Sequence, residues 1–522
     1  MQKMSKFVVY GGHAVFTKIK SMGLIGLKSY IIDIEMDISM GLPRFDIVGL
    51  PDASVSESRD RVRSAIRNNG FKYADQRITV NLAPADIKKE GPLYDLPIAI
   101  AMLADTKQLQ CDLKGKAFVG ELSLDGHIRK VNGALPMAIC AKENGISEVF
   151  VPLENAAEAS VVKGVTVYAA NELKAVTDHL AGRKLLKPCR SEDYSDSVDR
   201  TPYLDFADVK GQYHVKRALE IAAAGGHNTL MIGPPGSGKS MLAKRIPSIL
   251  PDMTFEESLE TTKIYSIAGA LPSGTSLITR RPFRSPHHTV STAGLSGGGR
   301  IPHPGELSLA HNGVLFLDEL PEFSRLAMET MRQPIEDGVI TISRVSGSLT
   351  YPCETMLVCA MNPCPCGYYG HPTKKCTCPN GAPAKYLAKV SGPLLDRLDI
   401  HVEVPQVDFK KLADDEKGES SAEIRKRVNG ARRIQQQRFS GTTVKCNAKM
   451  TPAMTREFCK IDEAQKKFLE ESFERLGLSA RAYDKILRVA RTIADLDASE
   501  NIELIHLREA VQYRSLDRKF WK

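Results

Sequence analysis

The chain has 522 residues, which is too long for one hydrophobic core, so several domains are expected. Its composition is that of a globular protein, and its apolar runs fall far short of the roughly 20 residues that a membrane helix needs. With no secretory signal pattern either, we expect a cytoplasmic protein without a membrane partner, in which eleven cysteines argue against a disulfide framework. A net charge of +9 leaves a nucleic-acid partner open.

The first block, residues 15–182, mixes short β-branched runs with helical stretches, which predicts an α+β or α/β domain. Strands are predicted at 30–38, 77–83, 117–122 and 148–151, and helices at 55–68, 96–104 and 133–144. Residues 1–14 are left as an unassigned extension. The polar, helix-poor segment 183–203 predicts a linker.

A second block, residues 204–405, predicts an α/β core, and the remainder, residues 406–522, predicts a small helical domain. Helices are expected at about 422–438, 463–476, 480–496 and 504–517. The first of them is rich in arginine, for which a solvated face is the default interpretation and DNA contact the second.

Residues 233–240 (GPPGSGKS) match the pattern G-x-x-x-x-G-K-[ST]. An apolar run at 229–232, which predicts a strand, precedes them, and a run that predicts a helix at 241–250 follows, as the motif requires. We predict an ATP-binding loop in which backbone N–H groups surround the phosphates, Lys239 contacts the β and γ phosphates, and Ser240 binds Mg²⁺. The predicted ATP-binding residues are Gly233, Pro234, Pro235, Gly236, Ser237, Gly238, Lys239 and Ser240.

The second half of this site is predicted at residues 313–320 (GVLFLDEL), whose apolar run suits a buried parallel strand. Asp318 and Glu319 follow it at the edge where open α/β sheets bind ligands. Asp318 would hold Mg²⁺ through water, and Glu319 would orient or deprotonate the attacking water. After a third apolar strand, 356–360, Asn362 either reaches the γ-phosphate or serves as a turn residue.

Together these residues make the chain resemble an AAA+ P-loop ATPase of the magnesium-chelatase-like group. Within that group it resembles the ComM/YifB family of competence-associated DNA motors. The resemblance runs from about residue 15 to the C-terminus. It is carried by residues 41–52 (GLPRFDIVGLPD), 80–86 (VNLAPAD), 282–288 (PFRSPHH), 361–367 (MNPCPCG) and 391–400 (SGPLLDRLDI).

The resemblance implies a homo-hexameric ring with ATP at subunit interfaces. It implies catalytic roles for Asn362 as sensor 1, for Arg397 as an arginine finger reaching a neighbour's γ-phosphate, and for Arg481 as sensor 2 on a lid helix. A guanidinium suits the finger because it neutralises charge in the transition state. The alternative for Arg397 is a salt bridge to Asp396 or Asp399.

Two insertions typical of the family, residues 279–300 and a hairpin at 339–352, would lie near the ring pore. Their cations would grip a DNA backbone without reading sequence. The alternative is a glycine-rich surface loop and a solvated hairpin. His287 and His288 have no carboxylate or cysteine partner close in sequence, so a metal site is not predicted there. The DNA-binding candidates are Arg280, Arg281, Arg284 and Arg344.

Residues 15–182 resemble the Lon-protease-like domain (ChlI type), but without its Ser-Lys dyad. Leu93 occupies the place of the serine, and Leu135-Pro136 that of the lysine. Because neither can attack a carbonyl or accept a proton, we predict a structural or DNA-contacting module and not a peptidase.

Four cysteines cluster in the loop 364–378: Cys364, Cys366, Cys376 and Cys378. Four thiolates predict a structural zinc site, although the C-x-C spacing is tighter than the commoner C-x₂-C. His371 is a substitute ligand for one sulfur. The alternative is four reduced cysteines in an ordered loop.

These features predict an enzyme, an ATP- and Mg²⁺-dependent translocase or branch-migration helicase. Its partner would be single-stranded or branched DNA during uptake and recombination, with recombination proteins as further partners. The alternatives are a magnesium-chelatase-type motor subunit and an ATP-switched scaffold that loads another protein.

Overall fold

A computed structural model describes residues 17–190, 194, 204–299, 302–344, 347–407 and 418–521. The chain groups into two compact units, and each is described by itself. The first comprises residues 1–197 and 265–277, and the second comprises residues 198–264 and 278–522. The predicted extension 1–14 and most of the predicted linker lie outside the described residues.

The described part of the first unit contains nine strands. They are Thr17–Ile25 (β1), Lys28–Ser39 (β2), Arg44–Val48 (β3), Arg77–Ala83 (β4), Lys116–Phe118 (β5), Glu121–Leu122 (β6), Ile128–Arg129 (β7), Glu148–Pro152 (β8) and Thr166–Ala170 (β9). Seven of them form one sheet in the order β3-β4-β2-β1-β5-β8-β9, and β6 and β7 form a separate pair. β2 is antiparallel to β1 and β4, whereas the remaining neighbours in the large sheet are parallel. This mixed sheet with its helices confirms the α+β class.

The helices whose bounds are described in this unit are Ala53–Ser56 (α1), Ser58–Asn68 (α2), Asp95–Asp105 (α3), Ala134–Glu143 (α4), Ala156–Ser160 (α5) and Leu173–Leu180 (α6). α3 and α4 both pack against β1 and β2, which is why they are apolar around most of their circumference. The single helix predicted at 55–68 is instead two. α1 begins early because the Asp52 side chain accepts a hydrogen bond from the Val55 N–H at 2.8 Å.

The second unit is built on five parallel strands: Thr229–Ile232 (β10), Phe283–Arg284 (β11), Val314–Leu317 (β12), Met356–Met361 (β15) and Ile400–Glu403 (β16). Their order is β11-β12-β15-β10-β16. β10, β12 and β15 are buried along their whole length, as expected for strands covered on both faces. Val339–Arg344 (β13) and Gly347–Pro352 (β14) form the predicted hairpin.

The helices of the described second unit begin with Tyr213–Gly225 (α7), Lys239–Ala243 (α8), Phe255–Ile267 (α9, whose end belongs to the first unit), Thr292–Ser296 (α10), Glu306–Leu309 (α11), Arg325–Thr330 (α12), Arg332–Asp337 (α13), Ala382–Leu387 (α14) and Gly392–Leu395 (α15). The C-terminal helices are Ser421–Arg438 (α16), Pro452–Phe458 (α17), Glu463–Leu476 (α18), Ala480–Leu496 (α19), Leu504–Gln512 (α20) and Ser515–Trp521 (α21). α7 packs against α16, α19 and β16, so one hydrophobic core joins the sheet to the C-terminal helices.

Two predicted helices of this unit are interrupted. The helix predicted at 241–250 ends at Ala243, and a 3₁₀ turn follows at Ile246–Ser248. Its proline, Pro247, has no N–H to donate and restricts the preceding residue. The helix predicted at 504–517 is divided into α20 and α21. Within the described part of the chain, no helix is both long and apolar enough to cross a bilayer.

Candidate active site

The loop at 233–240 connects β10 to α8 at the carboxyl edge of the parallel sheet. Gly236 and Gly238 have φ angles of 74° and 87°, a region that side chains strongly disfavour. A Cβ atom at Gly233 would lie 2.2 Å from the Val404 carbonyl oxygen. The three glycines therefore let the backbone curl where a larger residue would clash or be strained.

Lys239 is buried at the start of α8, and its Nζ donates to the carbonyl oxygens of Gly233 and Pro234 at 2.8 and 2.9 Å. It also donates to Oδ1 of Asn362 at 3.1 Å, across 123 residues of chain. Burial lowers the pKa of Lys239, and the charges of Asp318 and Glu319 oppose that effect. The result is a poorly hydrated cation enclosed by the loop.

Ser240 and Asp318 meet at the same edge, where the serine Oγ donates to Oδ2 of Asp318 at 2.5 Å. Asp318 directly follows β12, and Ser240 lies in the first turn of α8. Hydroxyl and carboxylate oxygens are the hard ligands that Mg²⁺ prefers. The two residues predicted as metal ligands are thus placed together.

Glu319 has a φ angle of 53°, and its side chain is 57% exposed. One carboxylate oxygen lies 3.4 Å from Nδ1 of His288. The ring of His288 stacks on His287 with centroids 4.0 Å apart and contacts Phe323 at its edge. The local sequence did not reveal this partner. β11 runs parallel to β12, however, so residues following both strands emerge at one sheet edge.

A cavity of ≈ 510 Å³ opens beside Glu319 and Asn362. Its other walls include Pro365, Lys385, Tyr386 and Lys389. The two lysines escaped the sequence analysis because α14 was not predicted. Lys389 Nζ lies 3.3 Å from a carboxylate oxygen of Glu322, another residue of the cavity wall.

Arg397 lies against α13 rather than beside residues 233–240, the phosphate loop. Its guanidinium donates to the carbonyl oxygens of Arg332 and Pro393 and to Glu336, the last at 2.5 Å. The predicted alternative partners are therefore wrong: Asp396 pairs with Arg481 at 3.1 Å, and Asp399 pairs with Lys485 at 3.1 Å.

Arg481, at the start of α19, has a side chain that is 73% exposed. Its partner Asp396 directly precedes Arg397, whose own side chain is 22% exposed and pairs with Glu336. Among the described residues, neither arginine hydrogen-bonds to the 233–240 loop.

Two of the four DNA-binding candidates are engaged inside the fold. Arg281 donates to the Asn312 carbonyl oxygen and pairs with Glu257 at 2.8 Å, and its side chain is only 15% exposed. Arg284 makes two hydrogen bonds of 2.6 Å to Glu306. These contacts argue against Arg281 and Arg284 as DNA contacts, because a phosphate would have to displace internal carboxylates. Arg280 is half-buried, and the side chain of Arg344 lies outside the described residues.

Three arginines of α16 bind groups of the same unit, while Arg433 is exposed as predicted. Arg427 pairs with Glu220 at 2.6 Å, and Arg438 pairs with Asp495 at 2.5 Å. Arg432 donates to the Ala223 carbonyl oxygen at 3.1 Å. These contacts stabilise the packing of α16 on α7 and α19.

In the first unit, Leu93 and Leu135 are both buried. The positions at which a Ser-Lys dyad would be expected therefore lie in the hydrophobic core.

The four clustered cysteines converge, with all four Sγ atoms within 4.8 Å of one another. His371 lies outside this group. Its Nδ1 accepts hydrogen bonds from the N–H groups of Thr373 and Lys374 at 3.2 and 3.0 Å.

Comparison with known proteins agrees with this architecture. Family models match residues 205–412 (Magnesium chelatase, subunit ChlI), 34–155 (Subunit ChlI of Mg-chelatase) and 418–514 (Magnesium chelatase, subunit ChlI C-terminal). The protein YifB of Escherichia coli is 46% identical over 96% of this chain and 97% of its own length. Competence protein ComM of Haemophilus influenzae is 44% identical over 97% of this chain and 98% of its own. The chain belongs to the ComM/YifB family.

A more distant likeness links part of this ComM/YifB-family chain to Lon protease 2 of Bacillus subtilis, which is 27% identical over 24% of the chain and 22% of its own length. The family models and the phosphate loop together make this ComM/YifB protein a magnesium-chelatase-like AAA+ ATPase. ATP and Mg²⁺ are the cofactors that this family implies.

Proposed function

We propose that this chain is an ATP-hydrolysing ring motor that acts on DNA as a translocase or branch-migration helicase. The observation that carries hydrolysis is the convergence of Lys239, Ser240, Asp318, Glu319 and Asn362 at one edge of the parallel sheet. The near-full-length likeness to a protein named for competence supports a role on incoming DNA and in its recombination.

The residues at this edge fit ATP with Mg²⁺, because the glycine loop leaves no Cβ atoms where phosphates would lie. Lys239 would exchange the loop carbonyls for the β and γ phosphates. Ser240 and Asp318 would hold the ion, which supplies charge neutralisation on the phosphates. Glu319 would accept the proton of the attacking water. The side chain of Asn362 would lie beside the γ-phosphate.

The ring is proposed from the placement of Arg397 and Arg481. Arg397 pairs with Glu336 and Arg481 with Asp396, and among the described residues neither hydrogen-bonds to the phosphate loop of its own chain. In a homo-hexamer, these arginines would approach the nucleotide of the neighbouring subunit, where a guanidinium stabilises the transition state.

Single-stranded, duplex and branched DNA should each be tested for their effect on the ATPase rate. We expect DNA to stimulate the wild-type protein. We expect Glu319→Gln to lose about 100-fold or more in rate, because general-base catalysis contributes that much, while it still binds ATP and accumulates on DNA. Glu470→Gln, an exposed change on α18, is the matched control and should behave as wild type.

An ATPase rate that no DNA alters, with no DNA complex trapped by Glu319→Gln, would contradict the motor. A chelatase-type motor subunit, the second candidate, is favoured by the description of the matched family models. It would instead require porphyrin and partner subunits for stimulation. A scaffold switched by ATP would bind nucleotide without sustained turnover.

A further inference from the structure

The four sulfurs of Cys364, Cys366, Cys376 and Cys378 are spaced as ligands of one ion. Cys364 Sγ lies 3.3 Å from Cys366 Sγ and 3.7 Å from Cys376 Sγ, and the latter two are 3.5 Å apart. A tetrahedral ion with metal–sulfur bonds of about 2.3 Å places its sulfurs about 3.8 Å apart. All four Sγ atoms therefore fit around a single centre.

Backbone donors support the sulfurs from outside. The Cys366 N–H donates to Cys378 Sγ at 3.4 Å, and the Tyr369 N–H donates to Cys364 Sγ at 3.3 Å. Such N–H···S hydrogen bonds stabilise thiolates and orient metal ligands. The fourth sulfur of the group is that of Cys378, since all four Sγ atoms lie within 4.8 Å of one another and His371 lies outside the group.

The surrounding loop has little else to hold it. Residues 362–381 contain no helix or strand, although they lie between β15 and α14.

The four thiolates indicate which ion fits the site, because thiolates select soft or borderline ions. Multinuclear iron–sulfur clusters distribute their cysteines over several irons, whereas these four sulfurs surround one point. A redox-inert tetrahedral ion suits a structural role in the cytosol.

We propose that Cys364, Cys366, Cys376 and Cys378 bind one Zn²⁺ that holds the loop 362–381 against the phosphate loop. A Cβ atom at Gly367 would lie 2.3 Å from Cδ of Pro235, so the two loops are in direct contact. Cys364 follows Asn362, whose side chain contacts Lys239, by two residues. The ion would thus hold in place both the loop that contacts Pro235 and the position of Asn362 beside Lys239.

Metal content of the full-length protein, purified without added zinc, tests the site directly. We expect about one zinc per chain in wild type and less than about half in each of the four Cys→Ser variants. His371→Ala and Cys446→Ser should keep the metal, because neither residue belongs to the cluster. Wild-type protein with less than half a zinc per chain, or with iron instead, would overturn the proposal.

A second measurement does not depend on whether the variants fold. Titrating wild type with a mercurial in the presence of a chromogenic zinc indicator should release one zinc as four thiols react. Zinc release that follows other thiols would contradict the ligand set.

The effect on the phosphate loop rests on the proposed ATPase function. Removing zinc with a chelator should weaken binding of a fluorescent ATP analogue by about tenfold or more, because the loop loses its alignment. Unchanged affinity would overturn the coupling between the two loops. Zinc-loaded protein that binds no nucleotide would contradict the proposed function while leaving the metal site standing.

Discussion

Arg281 is surrounded by hydrogen-bond acceptors of the second unit. It donates to the carbonyl oxygens of Pro251 and Asn312 and pairs with Glu257. Burial alone would raise the pKa of Glu257, but the charge and hydrogen bond of Arg281 lower it. The guanidinium therefore joins α9 to the segment before β11, and its role is to hold the fold together.

Replacing Arg281 should damage the fold rather than DNA binding. We expect Arg281→Ala to lower the free energy of unfolding by about 3 kcal/mol, because Glu257 would be left buried without a partner. Urea denaturation measures this change. Arg325→Ala is the control, since the Arg325 side chain is 86% exposed, and it should shift stability by less than about 0.5 kcal/mol. A stable Arg281→Ala protein that has lost DNA affinity would restore Arg281 as a DNA contact.

At the scale of elements, α21 is tied to the edge strand β16 through a buried histidine. Nδ1 of His401 lies 2.6 Å from Oδ1 of Asp517, and Arg514 donates to the Leu398 carbonyl oxygen at 2.8 Å. Burial and the charge of Arg514 lower the pKa of His401 from 6.5 to about 4, against the raising effect of Asp517. The imidazole is thus neutral in the folded protein at neutral pH.

This histidine makes stability depend on pH. Between pH 6.5 and about 4 the unfolded chain binds a proton at His401 that the folded chain does not. The contribution of His401 therefore falls as the pH falls, by up to about 1.4 kcal/mol per pH unit. Thermal unfolding measured across this pH range should show that His401→Gln loses less stability per pH unit than wild type as the pH falls. His303→Gln, at an exposed position, is the control, and equal slopes in all three proteins would contradict the assignment.

For the molecule as an assembly, the nucleotide site is either complete within one chain or completed by a residue of a second subunit. Glu319 lies at the carboxyl edge of the sheet, whereas Arg397 is held by Glu336 on α13. If Arg397 serves the neighbouring nucleotide, then Glu319 and Arg397 of any one site belong to different chains. In the ring proposed above, mixing two variant subunits distinguishes this arrangement from one in which both residues act within a chain.

Mixing inactive subunits should restore activity. Arg397→Ala and Glu319→Gln proteins should each be inactive alone. In an equal mixture, about one quarter of the nucleotide sites should be intact, because one in four neighbouring pairs combines a wild-type Glu319 with a wild-type Arg397. ATPase rate against mixing ratio measures this recovery. Glu336→Gln removes the carboxylate partner of Arg397 within its own chain and should keep wild-type activity. Mixed rings that stay inactive would show that Arg397 does not act across an interface.

Much of the architecture follows from short stretches of sequence. The helices predicted at 463–476 and 480–496 coincide with α18 and α19, because apolar spacing and end signals are local. The strand predicted at 229–232 coincides with β10 for the same reason. Helix breaks, as at Pro247, were missed because they depend on a few residues within an otherwise helical pattern.

The phosphate loop, the acidic pair after β12 and the clustering of four cysteines can be recognised from the sequence, because each lies in consecutive or nearly consecutive residues. Which of these groups meet depends on the fold. Pairing of β11 with β12 brings His288 to Glu319, and folding of the loop brings four sulfurs to one point. Arg281 is buried and forms an internal ion pair with Glu257. Such partners are chosen by strand order and packing, which join residues far apart along the chain.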